Sequence, residues 1–439
     1  MTSEALARQV IAQLRAAGHQ AYLVGGCVRD LLLGCAPKDF DVATDARPDR
    51  LMDLFPRSGR VGAHFGVVLV RDAFSQIEVA TFRSDQDYTD GRRPGIVHFE
   101  RHPREDVLRR DFTINGLMMD PDSGEVLDFV GGRDDLERRV VRAIGNAAER
   151  FREDHLRMLR AIRFASRLGF QIDPATFAAI CEQHASILRI SAERIRDELN
   201  RILTEGGARR GFEMLDSTGM LADILPELAA MHGVEQPPEY HPEGDVWVHT
   251  LLLLEQLRHP TVTLAWGALL HDVGKPGTFK VAERIRFDGH VEEGLRLARW
   301  ILTRLRFSRE QIEQIEALVG NHMRFKDVPH MKDSTLKRFL RLPDFEEHLE
   351  LHRLDVMSSN RNLGSYEIVK QKLAEFSDEQ LKPSRLLTGA DLIAAGYTPG
   401  PRFTEILGAV EDAQLEGRIH TAGEAIEMVR ERFPTEPRA

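Results

Sequence analysis

The chain has 439 residues, enough for two to four domains, and its 42% hydrophobic and 29% charged content is that of an ordinary globular protein. No apolar run reaches the roughly 18 residues of a transmembrane helix, so no membrane partner is expected. Cys27, Cys35 and Cys181 are too few and too scattered for a disulfide framework or a cysteine-type zinc site, which points to a reducing cytoplasm. The formal net charge of −10 excludes a generally basic surface, so any polyanion-binding face must be local.

In chain order, residues 1–18 read as an amphipathic helix with charges spread along it, not as a signal peptide. A strand over 21–24 runs into Gly25-Gly26, and a short helix is predicted over 28–33. A strand over 39–43 carries Asp39-Phe40-Asp41. Residues i and i+2 of a strand share a face, so Asp39 and Asp41 should point the same way with Phe40 buried behind them. Two carboxylates that close repel unless a cation shares them, and an oxygen-rich pair of this kind suits Mg²⁺. The paired glycines let backbone N–H groups approach an anion.

A helix over 49–55 and a hairpin follow, its strands over 67–70 and 77–82 turning at 72–75. Glu78 alternates with Ile77 and Val79; it is either a third carboxylate or an exposed strand residue. Residues 83–109 are polar with little periodicity and read as a long loop. They end in Leu108-Arg109-Arg110-Asp111-Phe112-Thr113-Ile114-Asn115-Gly116, before a second hairpin turning at 121–124.

Helical periodicity takes over from about residue 146, with helices over 153–168, 174–184 and 192–203. Residues 147–167 hold six arginines against three acids, a local polyanion-binding face or a plain solvated one. Asp154 and Arg157, three apart on one helix, could read a base edge as acceptor and donor, or form a surface ion pair. Residues 233–242 read as a linker. Ten of the 17 histidines then fall between His232 and His352, among them His249, His271-Asp272, His290 and His322, with Asp355 beyond. Imidazoles and carboxylates together suit a divalent transition metal. Helices over 365–376 and 403–415 form a C-terminal piece.

The glycine pair followed by Asp-Phe-Asp resembles the nucleotidyltransferase superfamily typified by DNA polymerase beta. With Arg-Arg-Asp-Phe-Thr-Ile-Asn and Glu153-Asp154-His155-Leu156-Arg157 in the same order, the series resembles the class II tRNA nucleotidyltransferases, the CCA-adding enzymes and bacterial poly(A) polymerases. That resemblance implies an α+β, polymerase beta-like head (1–145), an all-α neck (146–230), an HD domain (231–360) and a helical, tRNA-binding tail (361–439). It implies that Asp39, Asp41 and, less securely placed in the pattern, Glu78 carry catalysis with Mg²⁺. Gly25, Gly26 and Arg29 would cradle the triphosphate, and Arg110, Asp111 and Asn115 would contact the nucleotide. Asp154 and Arg157 would pair with the base of CTP or ATP, and Arg160 and Arg163 would approach the phosphates. The expected reaction is attack of the tRNA 3′-hydroxyl on the α-phosphate, with pyrophosphate leaving. The histidine-rich segment resembles the HD phosphohydrolases, which implies His249, His271, Asp272 and Asp355 as a minimal ligand set, completed by His290 and His322. Such a site is either a working phosphohydrolase or a structural clip. Other readings are an A-adding enzyme, a poly(A) polymerase, or an HD phosphohydrolase carrying an RNA-binding module. Nothing in the sequence sets the oligomeric state.

Overall fold

The computed structural model describes residues 2–60, 66–88, 94–239 and 241–434. The chain divides into two units. The first comprises residues 1–230 with 257–260 and 301–307, and the second holds the remainder.

The first unit is built on a mixed seven-stranded sheet. In chain order its strands are β1 (Ala21–Val24), β2 (Val42–Thr44), β3 (Ser58–Arg60), β4 (Val67–Arg71) and β5 (Gln76–Thr81). The hairpin β6 (Arg83–Tyr88) and β7 (Pro94–Phe99) stands apart as a two-stranded sheet, and β8 (Leu117–Met119) and β9 (Val126–Asp128) complete the main one. The spatial order is β3-β4-β5-β2-β1-β8-β9, with β2 and β5 parallel and the other neighbours antiparallel. Helix α1 (Ser3–Ala16), capped by the Thr2 side chain, buries the stripe Leu6, Ala7, Val10, Ile11 and Leu14. Helices α2 (Gly26–Leu32), α3 (Pro48–Leu54), α4 (Pro103–Leu108) and α5 (Gly132–Arg138) complete the α+β head.

Three expectations change here. The strand expected over 39–43 begins only at Val42, so Asp39 and Asp41 lie in the irregular stretch that leads into it. Phe40 is nonetheless buried between them, 7% exposed. The stretch 83–109 is not a long loop: it forms β6, β7 and α4, with residues 89–93 outside the described set. The first strand is wholly polar and the second opens on Pro94-Gly95, which leaves little hydrophobic alternation to read.

The third change concerns the helix expected over 153–168. It breaks into α6 (Ala147–Glu153) and α7 (Leu156–Leu168), with Asp154 between them in extended conformation, φ −146° and ψ 104°. Its carboxylate Oδ1 accepts from the Leu156 amide at 3.0 Å. A short acidic side chain that bonds a nearby backbone amide competes with the helix in this way. Asp154 and Arg157 therefore do not share one helix. Helices α8 (Pro174–Gln183) and α9 (Ala192–Thr204) pack beyond, α9 directly on α7.

The second unit is mainly helical. The helix Val262–Leu270 is apolar all round and buried, with Trp266 fully enclosed. A separate apolar cluster of Leu392, Ile406, Val410, Ala413 and Val429 forms the C-terminal core. Among the described residues no helix is long and apolar enough to cross a membrane.

Candidate active site

A cleft of about 530 Å³ in the first unit is lined by Gly25, Gly26, Arg29, Asp39, Asp41, Arg110, Asp111, Asn115, Asp154, Arg157, Arg160 and Arg163. Twelve of the thirteen head and neck residues expected from the sequence thus come together. Glu78 is the exception: it does not line the cleft, and its side chain is exposed on β5. Because Val42 pairs in parallel with Val79, the residues just before them, Asp41 and Glu78, lie level with each other at the entry to the two neighbouring strands. Burial, the negative charge of Glu78 and that of Asp39 together push Asp41 up to about 6, against the pull of Arg110. That is the electrostatic condition of a carboxylate group awaiting a cation, and the oxygen-only donors fit Mg²⁺.

Gly25 turns the chain from β1 into α2 at φ +78°, and a Cβ there would meet the Arg110 Nη1 at 3.3 Å. Only glycine combines that backbone with so close a guanidinium. Arg110 is itself aimed by Asp106, which is fully buried and also binds Arg109: Arg109 Nη2 donates to one oxygen at 2.6 Å and Arg110 Nη2 to the other at 2.8 Å. Removing one partner of such a buried set leaves charge uncompensated. Asp106→Asn should therefore lower folding stability by about 3 kcal/mol in urea unfolding, with nucleotide addition falling as Arg110 loses its hold. A stability within about 0.5 kcal/mol of wild type would contradict this placement of Asp106.

A chain of bonds fixes the remaining cations. Arg29 donates to Asp30 Oδ1 and, through Nη1, to Asn115 Oδ1 at 2.7 Å. Asn115 donates to Asp111 Oδ1 at 3.1 Å, while Asp111 Oδ2 takes Arg160 in a fork of 2.9 and 2.6 Å. Burial pushes Asp111 up, but Arg160 and Asn115 outweigh it and hold the group at about 2. Arg163 faces Glu198 at 3.0 Å; burial lowers it to about 10. Arg29, Arg160 and Arg163 all lie over the ring of Phe164, at 5.1, 5.4 and 4.5 Å. The negative face of that ring and the three acids let the arginines crowd together. Arg157 donates to Glu153 Oε2 at 2.6 Å and to the carbonyls of Arg150 and Arg109.

Lys38, Arg167, Arg194 and Arg201 also line the cleft, and sequence reasoning missed them. Ten cations there face six acids, a local excess that suits a triphosphate despite the acidic chain. Arg163 and Arg167 are four apart on α7, and Arg194 and Arg201 seven apart on α9, so helical spacing did carry a signal.

In the second unit, all six expected ligands converge. His249 Nε2 lies 3.1 Å from Asp355 Oδ1 and 3.3 Å from His271 Nε2. Asp272 joins this trio to a second one: its Oδ2 is 3.2 Å from His271 Nε2, and its Oδ1 is 3.8 and 4.0 Å from the Nε2 atoms of His322 and His290. Every imidazole spends Nδ1 elsewhere, on Glu243 for His249 and on the carbonyls of Ala268, Phe287 and Val319 for His271, His290 and His322. Outer partners of this kind turn each Nε2 inward. The Nε2 atoms of His290 and His322 are buried without hydrogen-bond partners, and burial pushes His322 down to about 4, so it stays neutral. Burial opposes charge on His249, yet Asp355 and Glu243 raise it to about 9. These donors fit one or two divalent ions. Gly274 brings the pieces together, since a Cβ there would lie 2.1 Å from the His290 carbonyl oxygen.

The segment 233–242 is not a free linker. Gln236 is buried and accepts from Lys275, which also binds Asp272 at 2.6 Å, and Glu243 just beyond holds both His241 and His249.

The Poly A polymerase head domain family matches residues 21–142, a probable RNA- and SrmB-binding site of polymerase A matches 169–231, and the HD domain matches 245–391. A CCA-adding enzyme of Levilactobacillus brevis is 35% identical over 419 residues, 94% of each chain. Another, from Lacticaseibacillus paracasei, is 44% identical over 418 residues, covering 93% of this chain and 92% of that one. The chain belongs to the family of CCA-adding enzymes. Its fold is similar to the crystal structure of the Bacillus stearothermophilus CCA-adding enzyme in complex with CTP, with a TM-score of 0.75 at 29% identity over 98% of this chain and 99% of that one. The polymerase head and HD portions expected from the sequence are thus those of a nucleotidyltransferase in this family.

Proposed function

We propose that the chain completes the 3′ end of tRNA by adding CMP and AMP from CTP and ATP. The observation that carries this reading is a single cleft with Asp39 and Asp41 at one part, an arginine cluster around Phe164, and Asp154 and Arg157 on its wall. Cytosine and adenine each present an amino donor beside a ring-nitrogen acceptor on the Watson–Crick edge. A carboxylate beside a guanidinium complements both, whereas the keto groups of uracil and guanine would face the carboxylate acceptor to acceptor. The relatives are CCA-adding enzymes, and a similar solved structure holds CTP.

In this reading Arg29, Arg110 and Arg160 receive the triphosphate, with Arg163 beside them, and Gly25-Gly26 leaves room for it. Asp111 and Asn115 face the sugar while they aim Arg160 and Arg29. Asp39 and Asp41 would hold Mg²⁺, with Glu78 adding negative charge from the next strand. When bound, the ion activates the attacking hydroxyl and offsets charge on the leaving pyrophosphate. The tRNA 3′-hydroxyl oxygen forms the new bond to the α-phosphorus, and the α–β bridge breaks. The neck and tail, residues 146–230 and 361–439, would grip tRNA by shape and backbone. Three unpaired cysteines fit a reducing cytoplasm.

For the second unit we infer a divalent-metal phosphohydrolase centre acting on phosphoesters such as 2′,3′-cyclic phosphates, with Asp272 in the trio of His290 and His322 and in contact with His271 of the other.

Transcripts ending before CCA, at C and at CC, offered labelled CTP and ATP, test the first activity. All three should be extended to CCA and stop. Extension of only the CC-ending transcript would make the chain an A-adding enzyme, and unlimited AMP addition a poly(A) polymerase.

A further inference from the structure

The residue that aims Asp154 lies 40 positions away on another helix. Arg194, in the first turn of α9, donates through Nη2 to Asp154 Oδ2 at 2.9 Å. The other carboxylate oxygen takes the Leu156 amide at 3.0 Å. Asp154 is thereby gripped at both oxygens, while its backbone sits in the break between α6 and α7, where no helix restrains it. Arg194 lines the same cleft, and its Nη1 is buried without a hydrogen-bond partner.

Arg157 is fixed in a parallel way. Glu153 and two carbonyls take its guanidinium, but those groups are close in sequence or part of the adjoining loop. For Asp154 the amide bond alone leaves the carboxylate free to turn about that contact. The second grip is what makes its orientation unique, and Arg194 supplies it.

We propose that Arg194 is a positioning residue for nucleotide selection: it holds the Asp154 carboxylate toward the amino group of cytosine or adenine. The proposal rests on the reading of Asp154 as a base contact. A fixed acceptor rejects uracil O4 and guanine O6 because two desolvated acceptors would face each other. A carboxylate released from Arg194 turns aside, and the penalty against the keto bases falls. Selectivity is then lost by relaxed rejection of UTP and GTP more than by weakened use of CTP and ATP.

The test compares Arg194→Met, Arg194→Lys and Asp154→Asn, measuring kcat/KM for CTP and UTP on a transcript lacking CCA, with ATP and GTP on one ending in CC. Arg194→Met should lower the CTP/UTP ratio by about tenfold or more, the scale of one charge-assisted hydrogen bond. Its kcat for CTP should fall by less than that factor. Arg194→Lys, which keeps the charge but loses the planar fork, should recover part of the ratio. Equal losses for all four nucleotides at an unchanged ratio would assign Arg194 a purely structural part and overturn the proposal. An unchanged ratio in the arginine variants with an altered one in Asp154→Asn would overturn the proposal and leave Asp154 as a base contact. An unchanged ratio in all three would remove the base contact as well. If Arg194→Met fails to fold, the same comparison is decided by Arg194→Lys and Arg194→Gln.

Discussion

Asp41→Asn is expected to abolish nucleotide addition and, at the same time, to stabilise the protein in the absence of divalent ions. Loss of a ligand that supplies several kcal/mol of transition-state stabilisation corresponds to a fall of about 10³-fold or more in kcat/KM. The stability gain follows from the charge environment. Asp41 is held up at about 6, against an ordinary value of 3.8, by burial, Glu78 and Asp39. A group raised in the folded state contributes its full stability below the unfolded value, and that contribution is lost as pH rises through the folded value. At pH 7 the ionised carboxylate therefore costs about 3 kcal/mol relative to a neutral isostere. Urea unfolding in EDTA should show Asp41→Asn more stable by up to that amount at pH 7. The gain should shrink as pH falls from about 6 toward 4, where wild-type Asp41 is itself protonated. Added Mg²⁺ should narrow the gap by stabilising wild type alone. A variant that is less stable than wild type at pH 7, or that still adds CMP near the wild-type rate, would contradict this account of the acids.

With the proposed metal centre in the second unit, Asp272→Asn should abolish its metal binding. Asp272 is 2% exposed and touches both ligand trios, with His271 and Lys275 at one oxygen and His290 and His322 at the other. Bound Zn²⁺, Mn²⁺ or Co²⁺, measured by plasma mass spectrometry after loading and desalting, should fall at least about tenfold. The buried Lys275 ammonium would lose the Asp272 counter-charge and keep only neutral neighbours such as Gln236 and the Phe287 ring, so the unit should lose about 3 kcal/mol of stability. Phosphohydrolase turnover should disappear with the metal, while CMP addition by the head continues. Metal content equal to wild type would show that Asp272 is not the shared ligand.

Local motifs were legible because their chemistry is written in neighbouring residues. Gly25-Gly26 and Asp39-Phe40-Asp41 each sit at one turn or strand entry, and Phe40 is buried although the strand starts only at Val42. That His249, His271, His290 and His322 would cluster was legible from their density in the sequence, and the helix Val262–Leu270 delivers His271-Asp272 at its end. What could not be read is whatever depends on distant partners. Nothing near Asp154 announces that Arg194, 40 residues on, will take its second carboxylate oxygen. Gln236 and Glu243 lie in a proline- and glycine-bearing stretch that reads as a connector, and only the folded chain sets them against Lys275 and His249. The hairpin Arg83–Tyr88 with Pro94–Phe99 escaped notice because its first strand is wholly polar and its second opens on Pro-Gly, so neither shows the alternation that marks a half-buried sheet.

In the proposed function, the acids beside the glycine turn carry the ion that meets the nucleotide. Crystals grown with Mn²⁺ and CTP test it most directly, through the anomalous signal of the metal. A Mn²⁺ peak is expected between Asp39 and Asp41, with the triphosphate alongside Gly25 and Arg29 and the cytosine facing Asp154 and Arg157. Manganese bound away from both aspartates, or CTP seated outside this cleft, would contradict it.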